Sequence, residues 1–464
     1  MAKTCIICGK RAGSREHVFP AALGGRRTNK GIYCGPHNEA YSGLANVIKE
    51  QLAIFNAQLG VVGDHADKPT SVTMTDVASG QNIELRRSQV RFKGPPRMSE
   101  TVVNGQKVKQ VTFSCQKQAD EWMREQKSRG VSLQVVGQPM RRRYHPGTAR
   151  LQLKLGGLEG MRAIGYIAQT FLAHYFPDIA RLPALGAFKD YTLKDVGSGL
   201  VWWDFEPPDD LPSSKFDFGH RVVVGQNAAD ASVYARVSLF SALNFAVLFA
   251  TVPTDVSRAV ITDIDPLAAS PPDDVFTWTE DSAKSAVSKP EELIASLASA
   301  IESGKAQNCL SDLLRRISDF DHRTAASAVL DKIADAAAMP QADRQKLFAE
   351  IVSAQSQRVF RLFWGVAEDC KRRASTREER AIADLLERAL ALDPHSANGL
   401  TDQATQALAV ACAAIAKRMQ EDFETDQLDF DRVLMLMGGG PGMYEVVRAI
   451  VATVAASVPV AAAE

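Results

Sequence analysis

The sequence has no apolar run long enough to cross a bilayer. Its longest are LFSALNFAVLFATV (residues 239–252) and the Ala/Val-rich tail. Both fall short of the ~20 residues a membrane helix needs, so they are expected to be buried elements and no membrane partner is expected. The start lacks a secretory pattern, since residues 1–10 are polar and already carry two cysteines. Cysteine is scarce, with seven in 464 residues, and the number is odd. Four of them, Cys115, Cys309, Cys370 and Cys412, are scattered. That argues against a disulfide framework and for a reducing, cytoplasmic location. The chain also has no net charge, with 54 basic and 54 acidic residues. At 45% hydrophobic and 23% charged it is ordinary for a soluble globular protein. A chain of this length holds roughly two to four domains.

The zero conceals an asymmetry. Up to Leu155 there are 25 Lys and Arg against 11 Asp and Glu, and beyond it 29 against 43. A basic front and an acidic back point to a polyanion as the partner of the front half, foremost a nucleic acid. The basic middle region, with Arg86, Arg87, Arg91, Lys93 and Arg141 to Arg143, would extend that grip.

Periodicity divides the chain into three parts and predicts an α+β multidomain protein. Residues 1–60 are dense in Cys, Gly, Asn and His and end in a helical pattern over 38–59. There Leu44, Ile48, Leu52 and Phe55 recur at three- and four-residue spacing. Residues 61–282 read as a mixed α/β middle domain. Its strands are expected in SVTMTDV, QNIELRRSQVRF, VKQVTFS, VSLQVVG, HRVVVG, VYARVSLF and AVITDIDPL. Its helices are expected in QKQADEWMREQKSRG and LEGMRAIGYIAQTFLAHYF, the latter buried. Residues 283–464 read as an all-helical C-terminal domain, suited to oligomerisation or a regulatory partner. GGGPG (438–442) lacks the Lys-Ser/Thr of a phosphate loop and is expected to be a turn. His65, His145, His174, His220, His322 and His395 are isolated and receive no role.

The informative stretch is the first 45 residues. Cys5 and Cys8 form one pair at x2 spacing, and Cys34 and His37 form another. Two such knuckles can close a tetrahedral zinc site with donors at ~2.0–2.3 Å. All four positions would be protein, so the zinc would be structural. Between the pairs lie Glu16-His17-Val18-Phe19-Pro20, Gly24-Gly25 and Asn29, and Asn38 follows His37. Val18-Phe19-Pro20 favours extended backbone. Gly24-Gly25 can supply the positive φ of a chain reversal. Asn38 falls where a helix cap is favoured.

This stretch resembles the HNH endonuclease family, the ββα-metal nucleases, and within it the branch tied by a CxxC…CxxC zinc knot. The resemblance rests on the acid-His-hydrophobic-x-Pro strand, the Gly-Gly turn, Asn29 five residues before Cys34, and Asn38 directly after the fourth ligand. His37 departs from the cysteine the family more often has there. The resemblance implies an N-terminal ββα-metal domain that hydrolyses phosphodiester bonds of nucleic acid, double-stranded DNA foremost. It implies His17 as general base, which an imidazole suits near neutral pH. It implies Glu16 and Asn38 as ligands of a catalytic Mg²⁺ or Mn²⁺, for which both offer hard oxygen donors. It implies Asn29 as the residue that holds the hairpin loop and orients His17. The further domains would serve regulation or target recognition, and by analogy such an arrangement suits bacterial defence. The alternative is a zinc-knot nucleic-acid-binding or scaffold protein that does not cut. Adjacent strand residues face opposite ways, so Glu16 and His17 share one site only if the strand bends.

Overall fold

The computed structural model describes residues 3–438 except 65, 78–79, 81, 88, 104–105, 114–115, 132, 134–143, 145–148, 198–199, 206–213, 269–273, 279–289 and 393–399. The expected Arg141–Arg143 cluster, most of the strand expected over 131–137, and GGGPG beyond Gly438 lie outside the described residues. The chain forms two compact units that interleave in sequence. One takes Met1–Thr73, Leu85–Gln89 and Leu151–Ile317, and the other takes Met74–Glu84, Val90–Arg150 and Ser318–Glu464. Helices and sheets are both present, and the described C-terminal part is helical, so the mixed α+β expectation holds at that level. No helix among the described residues is long and apolar enough to cross a membrane.

The first unit opens with two short antiparallel strands, β1 (Glu16–His17) and β2 (Thr28–Asn29), with Glu16 opposite Asn29 and His17 opposite Thr28. A 3-10 turn, Ala21–Leu23, lies in the connection and ends at Gly24, whose φ of +88° needs a residue without a Cβ. Gly25 is required for a different reason. A Cβ there would lie 2.0 Å from the Phe19 carbonyl oxygen. The helical pattern begins earlier than expected, as α1 (Gly35–Gln51), and breaks at Leu52 before α2 (Ala53–Leu59). Cys34, with extended φ and ψ, is the N-cap and Pro36 sits in the first turn. Asn38 therefore lies inside the helix, its N–H bonded to the Cys34 carbonyl at 3.0 Å, and is not the cap the sequence suggested. Proline at the second helical position sacrifices no internal bond, which lets the helix start ahead of Asn38.

Helix α3 (Gly157–Tyr175) is buried along most of its length, as its near-continuous apolar sequence requires. It packs against α1 and against a six-stranded antiparallel sheet. That sheet comprises β3 (Val201–Trp203), β4 (His220–Asn227), β5 (Ser232–Leu239), β6 (Leu243–Thr251), β7 (Arg258–Ile264) and β8 (Asp274–Trp278), in the order β8-β7-β4-β5-β6-β3. The longest internal apolar run of the sequence thus becomes β6. Phe19 joins this core, edge-on to Phe171 at 6.2 Å between centroids and 5.0 Å from the His220 ring. The β-hairpin is therefore seated on α3 rather than projecting from it.

In the second unit, Arg97–Val103 and Gln106–Thr112 pair as an antiparallel hairpin, followed by the expected helix at Gln116–Ser128. The helices Gln341–Ala354, Ser356–Arg373, Arg377–Ala389, Asp402–Glu424 and Phe430–Leu436 enclose a core centred on Phe348, Phe360, Ile415 and Met419. Thr401 and Asp429 cap the last two helices by accepting backbone N–H bonds from Ala404 and Arg432.

Candidate functional site

The four knot residues converge. Cys5, Cys8, Cys34 and His37 place one donor atom each within 4.8 Å of all the others, the one such metal-competent group among the described residues. The geometry can be tested against zinc. Bonds of about 2.3 Å to sulfur and 2.0 Å to nitrogen imply tetrahedral edges of roughly 3.8 Å between sulfurs and 3.5 Å from sulfur to nitrogen. Cys8 Sγ lies 3.8 Å from Cys34 Sγ, and Cys5 Sγ lies 3.6 Å from His37 Nδ1. Cys34 Sγ to His37 Nδ1 is shorter, 3.1 Å. A Cys3His set at these spacings can hold a metal ion such as zinc, with no position left for water.

Backbone contacts explain why the donors meet. The first knuckle closes through a Thr4–Arg11 bridge and a Cys5 N–H bond to the Lys10 carbonyl. It is tied to the chain before the second knuckle by the Ile6 N–H bonded to the Ile32 carbonyl. Arg181, just beyond α3, donates from Nη2 to the carbonyls of Thr4 and Gly31, at 2.6 and 3.1 Å, and so clips both knuckles together.

Glu16 and His17 point apart, as neighbours on a strand do. Glu16 turns inward and is 9% exposed. Its carboxylate accepts a short hydrogen bond from the Tyr166 hydroxyl of α3. Tyr166 stacks on Tyr41 at 4.9 Å, and Gln169 donates to the hydroxyls of both Tyr33 and Tyr41 at 3.1 Å. Burial in this aromatic layer raises the Glu16 pKa from 4.5 to about 7, against the opposing pull of the Tyr166 bond. A carboxyl so placed holds a proton over much of the neutral range, and its oxygen is already engaged. In this arrangement it does not suit a divalent cation.

His17 turns the other way. Its Nε2 lies 3.1 Å from Asp64 Oδ2, and the second oxygen of Asp64 receives Arg26 Nη1 at 3.1 Å. All three side chains are about one-fifth exposed, so the group is reachable from solvent.

Asn29 lies opposite Glu16 in the ladder, but its side chain bonds to neither Glu16 nor His17. Its Oδ1 accepts from the Gly31 N–H at 2.7 Å and its Nδ2 donates to His174 Nδ1 at 2.9 Å. Burial first, then the nearby Arg27 and Lys3 charges, lower the His174 pKa to about 4, which keeps the ring neutral and able to accept. Asn29 thus anchors the loop, while the ring of His17 is held by Asp64. Asn38 Oδ1 is buried and makes no hydrogen bond among the described residues. It is a hard oxygen donor without a partner, close in sequence to the knot.

Sequence reasoning missed Tyr166, His174, Asp64 and Arg26. A signal existed for the first two. Tyr166, Thr170 and His174 recur every four residues in a largely apolar helix, and that spacing lines polar groups along one face. Asp64 carried none, since it lies in a turn beyond α2 and reaches the hairpin only by chain reversal. No family model, curated protein or solved structure matches the chain.

Proposed function

We propose that the chain is a metal-dependent endonuclease acting on nucleic acid, double-stranded DNA foremost, with a zinc-held hairpin and helix at its N-terminus as the cutting module. The observation that carries the reading is the pairing of a closed Cys3His knot with a reachable histidine. His17 sits on the hairpin between the two knuckles, outside the metal-binding set, with a carboxylate on its ring nitrogen. An imidazole fixed by a carboxylate and reachable from solvent is a general base in waiting. The excess of basic residues up to Leu155 supplies the attraction to phosphate.

In the proposed reaction His17 takes a proton from water as the water oxygen bonds to phosphorus. The bond from phosphorus to the leaving oxygen breaks, and solvent returns a proton to that oxygen. A Mg²⁺ or Mn²⁺ would supply charge relief on the phosphate. By the resemblance Asn38 would be one of its ligands, and its Oδ1 is buried without a hydrogen bond among the described residues. Glu16 would have to lose its proton and release Tyr166 to join.

That requirement also favours the second reading, a zinc-knot nucleic-acid-binding protein that does not cut, in which Glu16 is a core residue. Plasmid nicking by the full chain, with Mg²⁺, Mn²⁺ or chelator, separates the two. The nuclease reading expects metal-dependent nicking that His17→Ala reduces about 10²- to 10⁴-fold, with zinc content and DNA affinity unchanged. Binding without nicking in either metal refutes it. Full-rate nicking by His17→Ala places the chemistry elsewhere.

A further inference from the structure

The segment after α2 folds back onto the hairpin loop in a specific way. The Asp64 N–H bonds to the Ala21 carbonyl at 3.4 Å, and Arg26 Nη2 donates to the Val62 carbonyl at 3.1 Å. These anchors deliver the Asp64 carboxylate with one oxygen on His17 Nε2 and the other on Arg26 Nη1. The two oxygens are thus divided between a ring nitrogen and a fixed cation.

We propose that Asp64 is a positioning residue for His17, with Arg26 as its clamp. The inference rests on the nuclease reading but adds a residue and a role to it. The chemistry follows from the atoms in contact. An ionised carboxylate only accepts, so the His17 nitrogen facing it carries the proton. That tautomer puts the basic lone pair on Nδ1, the nitrogen that takes a proton from water. When it does so, the ring becomes an imidazolium with Asp64 already against it, and the developing charge is stabilised without rearrangement. Arg26, on the other oxygen at 3.1 Å, fixes which oxygen faces the ring. A carboxamide at position 64 keeps the shape but removes the charge and can present N–H to the ring, which selects the wrong tautomer. In a serine-protease triad that exchange costs about 10⁴-fold in kcat.

The test uses the full chain with Asp64→Asn and Asp64→Glu, read two ways. The first reading is plasmid nicking in Mg²⁺ or Mn²⁺. Asp64→Asn is expected to lose at least about 10²-fold in kcat with KM and zinc content unchanged, and Asp64→Glu to recover most of the rate. The second reading is the imidazole ¹⁵N spectrum of histidine-labelled protein, with the His17 signals identified by their loss in His17→Ala. Wild type is expected to show His17 protonated on Nε2, and Asp64→Asn to shift that equilibrium toward Nδ1. Full-rate nicking by Asp64→Asn, or a wild-type His17 protonated on Nδ1, overturns the proposal. If Asp64→Asn does not fold, the wild-type tautomer decides alone. If wild type does not nick at all, the nuclease reading falls, and the spectrum still shows whether Asp64 sets the ring.

Discussion

Glu16 provides the sharpest physical test of the site, because its position makes a stability prediction that needs no substrate. Moving its pKa from 4.5 to about 7 means that the fold favours the protonated over the ionised carboxyl by about 3 kcal/mol. The sign follows by linkage. A carboxyl whose folded value is raised contributes its full stabilisation below the unfolded value of 4.5 and loses it as pH rises through about 7. Glu16→Gln keeps the shape and the capacity to accept from Tyr166 but has no proton to lose. The expected result is that wild type and Glu16→Gln have similar melting temperatures near pH 5. By pH 9 wild type should fall behind by about 6 to 12 °C, since roughly 2 to 4 °C accompanies each kcal/mol in a unit of this size. The assay is thermal unfolding of zinc-loaded protein across that range, in buffer free of Mg²⁺ and Mn²⁺. Parallel curves from pH 5 to 9 would refute the reasoning and show that Glu16 ionises freely. It would then be available as a metal ligand after all.

Two further predictions concern the scaffold. Purified full-length protein is expected to retain about one zinc per chain after mild chelation, because a closed four-ligand site releases its ion slowly, and Cys34→Ser should abolish that retention; unchanged metal content in the variant would exclude the knot. On the acid side, the depressed pKa values of His174, about 4, and His220, about 3, mean that each contributes stability above 6.5 that is lost as pH falls through the folded value. The stability gap between wild type and His174→Gln should therefore narrow from pH 7 to pH 4, and a constant gap in melting temperature would show that the ring is charged in the fold.

Much of the N-terminal region was legible in sequence because its information is local. The x2 spacing of the cysteine and histidine pairs prescribes two knuckles, and the knuckles bring together Cys5, Cys8, Cys34 and His37. Alternating apolar residues and β-branched runs set β4, β5 and β7, and the apolar sequence of α3 required its burial. Local rules also gave the warning that Glu16 and His17 face opposite ways. What they could not decide was where each then points. That depended on α3, about 150 residues away in sequence, which presents Tyr166 to Glu16 and His174 to Asn29. It depended equally on the turn beyond α2, which returns Asp64 to His17. The physical reason is one of range. Spacing fixes which side of a strand or helix a residue occupies, whereas hydrogen-bond partner, burial and hence protonation state are set by whatever the folded chain brings against that side. The protonated character of Glu16 belongs to the second kind, and only the tertiary structure decided it.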